Sequence, residues 1–138
     1  MRHELELNPA YIFETKQTEK AGFEIMEKIL KSDDIPTAIY CANDITAIGM
    51  LKALEKIKKK YFNISIISSD DIEQAQFTKP MLTTVALPKV EMGRFAVYLL
   101  IDRINGNHAS VTTMELEGRL VIRESCVDVQ DSWWNYSI

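Results

Sequence analysis

The sequence is poor in the residues that build metal sites, redox centres and tight phosphate loops. Its 138 residues hold two cysteines, two histidines, five glycines and four prolines. The cysteines, Cys41 and Cys126, lack the C-x-x-C spacing of a redox or zinc pair. Cys41 lies in the apolar run Ala38-Ile39-Tyr40-Cys41-Ala42 and reads as a small buried hydrophobe. His3 and His108 stand in polar surroundings and match no ligand spacing, so no metal and no cofactor is expected. G-x-G-x-x-G, G-x-x-x-x-G-K-[ST] and G-x-S-x-G are all missing, which removes the common nucleotide-binding and nucleophile-elbow signatures. No apolar run nears the ~18 residues of a membrane span. The opening Met1-Arg2-His3-Glu4-Leu5-Glu6 has no charged-then-apolar leader pattern, so a cytoplasmic location without membrane contact is expected. Excess positive charge is missing too: the net charge is -4. A mildly acidic chain does not attract phosphate backbones.

What is present is a soluble globular composition, 46% hydrophobic and 26% charged, and an alternation of two periods. Ala21, Ile25, Met26, Ile29 and Leu30 recur at helical spacing and predict a helix over 18–31, ended by Ser32-Asp33-Asp34 and Pro36. Residues 37–42 form a short buried strand. Asn43-Asp44 follow, and then Ile45, Ile48, Leu51, Leu54 and Ile57 mark a second helix, with Asp44 as its expected N-cap. The run at 58–60, three lysines, reads as a solvated helix end. Residues 64–67 are a strand ending in Ser68-Ser69-Asp70-Asp71. Residues 72–77 suit a short helix, 82–87 a strand, and 91–105 a third helix closed by Asn105-Gly106 as a left-handed pair. Two final strands are expected at 112–117 and 119–123. Strand–helix–strand–helix order predicts an α/β fold: a parallel sheet with helices on both faces.

In open parallel sheets, ligands bind beyond the carboxyl ends of the strands. Two strands here end in short polar residues, Asn43-Asp44 and Asp70-Asp71. Asp44 and Asp71 suit caps and turns, whereas Asn43 and Asp70 are freer to meet a ligand. A carboxylate accepts from hydroxyls, and an amide donates and accepts, so the pair suits a polyol or sugar. Adjacent carboxylates on a strand end point in different directions, which argues against an acid–base pair and against an enzyme.

Four stretches in order resemble the lac-repressor/galactose-repressor family of transcription regulators. They are Pro36-Thr37-Ala38-Ile39-Tyr40-Cys41-Ala42-Asn43-Asp44 continuing through Leu54; Ile64-Ser65-Ile66-Ile67-Ser68-Ser69-Asp70-Asp71; Pro80-Met81-Leu82-Thr83-Thr84-Val85 with Glu91-Met92-Gly93; and Leu120-Val121-Ile122-Arg123-Glu124-Ser125. The resemblance implies a periplasmic-binding-protein-like effector domain. This chain would hold mainly its carboxyl-terminal subdomain plus a returning helix over 1–127, followed by a tail over 128–138 that carries Trp133 and Trp134. It implies a sugar effector touching Asn43 and Asp70, with Gln17 as a further contact. It implies a homodimer using Ile48, Leu51, Lys52, Phe77 and Met81, although Ile48 and Leu51 suit the core equally. Operator DNA would be read by an amino-terminal helix-turn-helix that has no counterpart here; nor has the first subdomain with its effector-binding arginine. Where the family places glycine and an aromatic before the Asp pair, this sequence has Ser68-Ser69. A sugar-binding protein of a transport system shares the architecture and is the alternative. In either case the Met92, Phe95, Leu99 stripe of the third helix is expected to be covered, by another chain or by folding back on the sheet.

Overall fold

A computed structural model describes residues 8–57 and 64–127. The run at 58–60 and the tail with its tryptophans lie outside the described residues. After a 3-10 turn at Pro9–Tyr11 come α1 (Glu19–Ile29), β1 (Ala38–Tyr40), α2 (Asp44–Ile57), β2 (Ser65–Asp70), a 3-10 turn at Glu73–Phe77, β3 (Thr83–Ala86), α3 (Lys89–Ile104) and β4 (Arg119–Val121). The four strands form one sheet in the order β1-β2-β3-β4. The first three run parallel and β4 returns antiparallel beside β3. This is the mixed α/β layout that the alternating periods predict.

Helix α1 starts where Thr18 caps it: the Thr18 hydroxyl accepts from the Ala21 N–H at 3.2 Å. Its buried residues, Gly22, Ile25, Met26 and Ile29, recur at three- and four-residue spacing and face α2. Two glycines set how close the helices come. A Cβ on Gly22 would stand 2.0 Å from the Thr46 carbonyl oxygen, and one on Gly49 would stand 2.0 Å from that of Glu19. The backbones therefore touch. Met26, Ala47, Met50, Leu51, Ala53, Ile66 and Leu82 complete a core between the helix pair and the sheet. Ile66 and Ser68 alternate into it from β2, while Ile67 and Ser69 on the other face are half-buried.

Three expectations are corrected. Residues 112–117 form no strand; a strand persists only where a neighbouring edge accepts its backbone bonds, and β4 alone takes the free edge of β3. Helix α3 closes on Gly106 alone in the left-handed region (φ 74°), while Asn105 stays right-handed. The apolar stripe of α3 is not folded back on the sheet either. No residue of the helix is buried; Met92 is exposed, and Phe95 and Leu99 are half-buried. Its other faces carry Val97, Ile101 and Ile104, all exposed. The reason is topological. After Pro88 the chain leaves the sheet and re-enters at β4, so the described residues cover the helix only in part.

Candidate functional site

The site is built from the ends of β1 and β2. Tyr40 pairs with Ile67 in parallel register, and the Cys41 N–H donates to the Ile67 carbonyl at 2.8 Å. Counting three residues on from each partner reaches Asn43 and Asp70. Both therefore sit at the same rim of the sheet, Asn43 beyond the carboxyl end of β1 and Asp70 as the last residue of β2. The Tyr40 and Ser69 hydroxyls lie 3.1 Å apart there, so an exposed ring stands beside the serine at the position where an aromatic was missed.

Each polar residue at this rim has a distinct task. Asn43, not Asp44, is the N-cap of α2. Its Oδ1 accepts from the Thr46 N–H at 2.9 Å, and its Nδ2 donates to Gln17 Oε1 at 3.2 Å. The helix begins one residue earlier than a cap at Asp44 requires, so Asp44 stands in its first turn with a side chain free to turn inward. It is completely buried. Its Oδ1 accepts from the Ser68 hydroxyl at 2.5 Å and the Thr84 hydroxyl at 2.6 Å, and its Oδ2 from the Ile72 N–H at 2.8 Å. One carboxylate thus fastens α2 to β2, β3 and the loop after β2. A buried charge is tolerated only when it is hydrogen-bonded in this way, and the helix amino terminus adds favourable dipole.

Asp70 and Asp71 occupy consecutive left-handed positions, with φ of 124° and 50°. Non-glycine residues held there cost roughly 1–3 kcal/mol each, so the surroundings must hold the turn. The Asp71 carboxylate is paired with Arg123, Nη2 to Oδ1 at 2.6 Å, and the Ile72 N–H is held by Asp44. Asp70 differs. Among the described residues its half-buried carboxylate accepts no hydrogen bond, although it stands at the mouth of the sheet. Sequence reasoning missed Arg123, Ser68 and Thr84 as partners of these acids. The available signal was slight: small hydroxyl residues sit at alternate, inward positions of strands that otherwise carry isoleucine and valine.

Gln17 joins the site only through Asn43. It also borders a cavity of about 680 Å³ between the segment at 8–17 and the free edge of β1, lined by Tyr11, Phe13, Ile29, Tyr40 and Met50 among others. Asn43 and Asp70 do not line it. The Tyr11 hydroxyl donates to the Asp34 carboxylate across its mouth, and this bond holds the phenol ionisation above its ordinary value. Cys41 is also on this cavity; burial, and then the Asp44 charge, push its thiol up to about 12.

A second groove, of about 510 Å³, lies on the far side of α2. It brings together four of the five residues expected at a dimer contact: Ile48, Leu51, Lys52 and Phe77. Ile48 and Leu51 are only 6% and 4% exposed, so in the single chain they serve the core; Phe77 is 72% exposed. Lys52 reaches Glu19 at 2.7 Å. Met81 is elsewhere. It is half-buried, and its backbone bonds Glu124 and Ser125.

A rim of this kind on a parallel sheet defines a class, and the sequence profile described as a periplasmic binding protein-like domain matches residues 1–126. The chain belongs to that family. Among curated proteins it is 39% identical over 122 residues to the HTH-type transcriptional repressor PurR of Pasteurella multocida, covering 88% of this chain and 36% of the repressor. Among solved structures it is similar to a LacI family transcriptional regulator of Enterococcus faecium with bound ribose. The TM-score is 0.67 at 32% identity, over 79% of this chain and 40% of that one. It also matches the lac repressor dimer bound to operator and an anti-inducer, with a TM-score of 0.71 at 27% identity, over 80% and 40% of the two chains. The chain therefore spans a little over a third of the length of the curated relatives it matches. The resemblance read from the sequence is borne out at the level of family and fold.

Proposed function

We propose that this chain is the effector-binding and self-associating part of a ligand-responsive transcription repressor that acts in the cytoplasm. Asn43, Asp70 and Gln17 contact a small hydroxylated effector, a carbohydrate. The observation that carries this reading is the Asp70 carboxylate. It is held at the rim of the sheet by a strained turn, yet among the described residues it accepts no hydrogen bond, while Asp44 and Asp71 beside it both do. Strain of this sort is kept where a group must be presented in one direction. Asn43 spends its oxygen on the helix cap and leaves an amide that Gln17 already orients, so it serves best as a donor. The ribose seen in the Enterococcus faecium relative supports a hydroxylated ligand in this fold. The relatives named above are regulators, which favours the repressor reading over transport.

In this reading the effector closes a cleft between the Asp70 rim and a lobe supplied from outside these residues. Cleft closure shifts the geometry of paired subunits and hence their grip on operator DNA. The effector must favour one state over the other by about 1–3 kcal/mol, as is typical of allosteric coupling. The net charge of -4 favours DNA contact outside this chain.

The test is titration of the chain with D-ribose, cellobiose and a purine base, followed by amide chemical shifts. A carboxylate also accepts from the ring N–H of a flat heterocycle, so the third ligand decides the effector class. A saturable shift at Asp70 and Asn43 with a sugar is expected. Asp70→Ala should weaken it roughly 10- to 100-fold, the worth of a hydrogen bond to a charged group. Equal affinity in the variant removes Asp70 from the site.

A further inference from the structure

We propose that Arg123 is a positioning residue of the effector site: through Asp71 it fixes the left-handed turn that presents the Asp70 carboxylate at the rim. This rests on the reading of Asp70 just given. Arg123 follows β4, more than fifty residues along the chain from the turn. Its guanidinium spans two elements. Nη2 donates to Asp71 Oδ1 at 2.6 Å, and Nη1 donates to the Leu82 carbonyl just before β3 at 2.8 Å. Its own N–H donates to the Thr83 hydroxyl at 2.9 Å. The arginine side chain is 16% exposed and that of Asp71 24%, so solvent screens the pair little.

The planar fork is what the geometry uses. One nitrogen holds the carbonyl at the entry to β3 and the other holds the acid of the turn, so the turn is referenced to β3 and not merely neutralised. The turn has two further restraints, the Ile72 N–H on Asp44 and a long 3.4 Å approach of the Asp71 N–H to the Thr84 hydroxyl. Neither acts on the Asp71 side chain. Released from Arg123, Asp71 gains a carboxylate free to turn to solvent, and two strained residues lose their lateral support. Asp70, which has no hydrogen-bond partner among the described residues, then loses what fixes its direction.

The experiment uses the 138-residue chain and its Arg123→Ala, Arg123→Lys and Asp71→Asn variants. A residue at positive φ gives a strong intraresidue amide–Hα nuclear Overhauser effect. In the unaltered chain both Asp70 and Asp71 should show it, and in Arg123→Ala both should lose it while the core amides stay in place. D-ribose affinity should fall at least tenfold in Arg123→Ala and in Asp71→Asn, with no further loss in the double variant. Arg123→Lys, which keeps the charge but cannot grip both partners, should lie between. If Arg123→Ala melts at the assay temperature, Asp71→Asn reports the same turn without removing the arginine. An unchanged Overhauser pattern in a folded variant overturns the proposal, as does additive loss in the double variant. Failure of the underlying reading looks different. If the unaltered chain does not respond to D-ribose, or Asp70→Ala binds it normally, the effector contact falls while the Overhauser pattern still decides what Arg123 does to the turn.

Discussion

At the scale of single residues, the acids near the rim divide by what surrounds them, and composition alone does not reveal the division. Asn43-Asp44 and Asp70-Asp71 were legible as a pair of polar strand ends, and the parallel register does set them at one rim. The roles within each pair were not legible. Asp44 has the sequence context of a helix cap, yet its partners Ser68 and Thr84 lie 24 and 40 residues away. No local pattern announces a bond over that distance. Cys41 was read correctly as a buried hydrophobe, and its environment makes a prediction. With its thiol ionisation raised to about 12, folded Cys41 should resist iodoacetamide at pH 8 while the half-buried Cys126 alkylates. Mass spectrometry of the labelled peptides checks this, and equal labelling in the folded chain contradicts it. The sign for stability follows. The folded state keeps the proton that the unfolded chain releases, so the contribution is fully present below the ordinary thiol value and is lost as pH rises from there toward 12.

At the scale of elements, the two packed helices were readable from periodicity because an apolar stripe facing one partner is what produces the period. Their separation was not. Gly22 and Gly49 look like ordinary helix-weakening residues until the crossing is seen, where each meets a backbone carbonyl at a distance that leaves no room for a methyl group. Gly49→Ala should therefore push α1 from α2 and lower the unfolding free energy by about 1–3 kcal/mol, as overpacking does. Because α2 carries Asn43 and Asp44 at its start, the shift should also reach the rim. Gly93→Ala is the matched control. Apart from its chain neighbours and the helix's own backbone, no heavy atom of the described residues lies within 4 Å of the position its Cβ would take in α3, and alanine gains about 1 kcal/mol of helix propensity there. Denaturant midpoints moving in opposite directions for the two variants are the expected outcome; the same direction for both would mean the crossing is not as tight as the geometry requires. The strand expected at 112–117 failed for a reason of the same scale. Threonine-rich sequence favours extension, but only an open edge makes a strand.

At the scale of the whole molecule, two apolar surfaces compete to explain any self-association. One is the groove on α2, where Phe77 stands exposed beside Ile45 and Lys52. The other is α3, whose Val97, Ile101 and Ile104 form a bare stripe at helical spacing. The groove fits the proposed dimer better, since it combines a protruding aromatic, a concave apolar floor made by Ile48 and Leu51, and charged residues at its margin. That is the anatomy of an interface with a central anchor and a polar rim. The α3 stripe belongs to the segment that leaves the sheet. Sedimentation of the chain should show a dimer that Phe77→Asp weakens by roughly 30-fold or more, the effect of losing an anchor worth about 2 kcal/mol or greater. A dimer that survives Phe77→Asp but dissociates in Val97→Glu/Ile101→Glu would move the interface to α3. The groove would then be an ordinary surface hollow, and the bare helix would account for the association by itself.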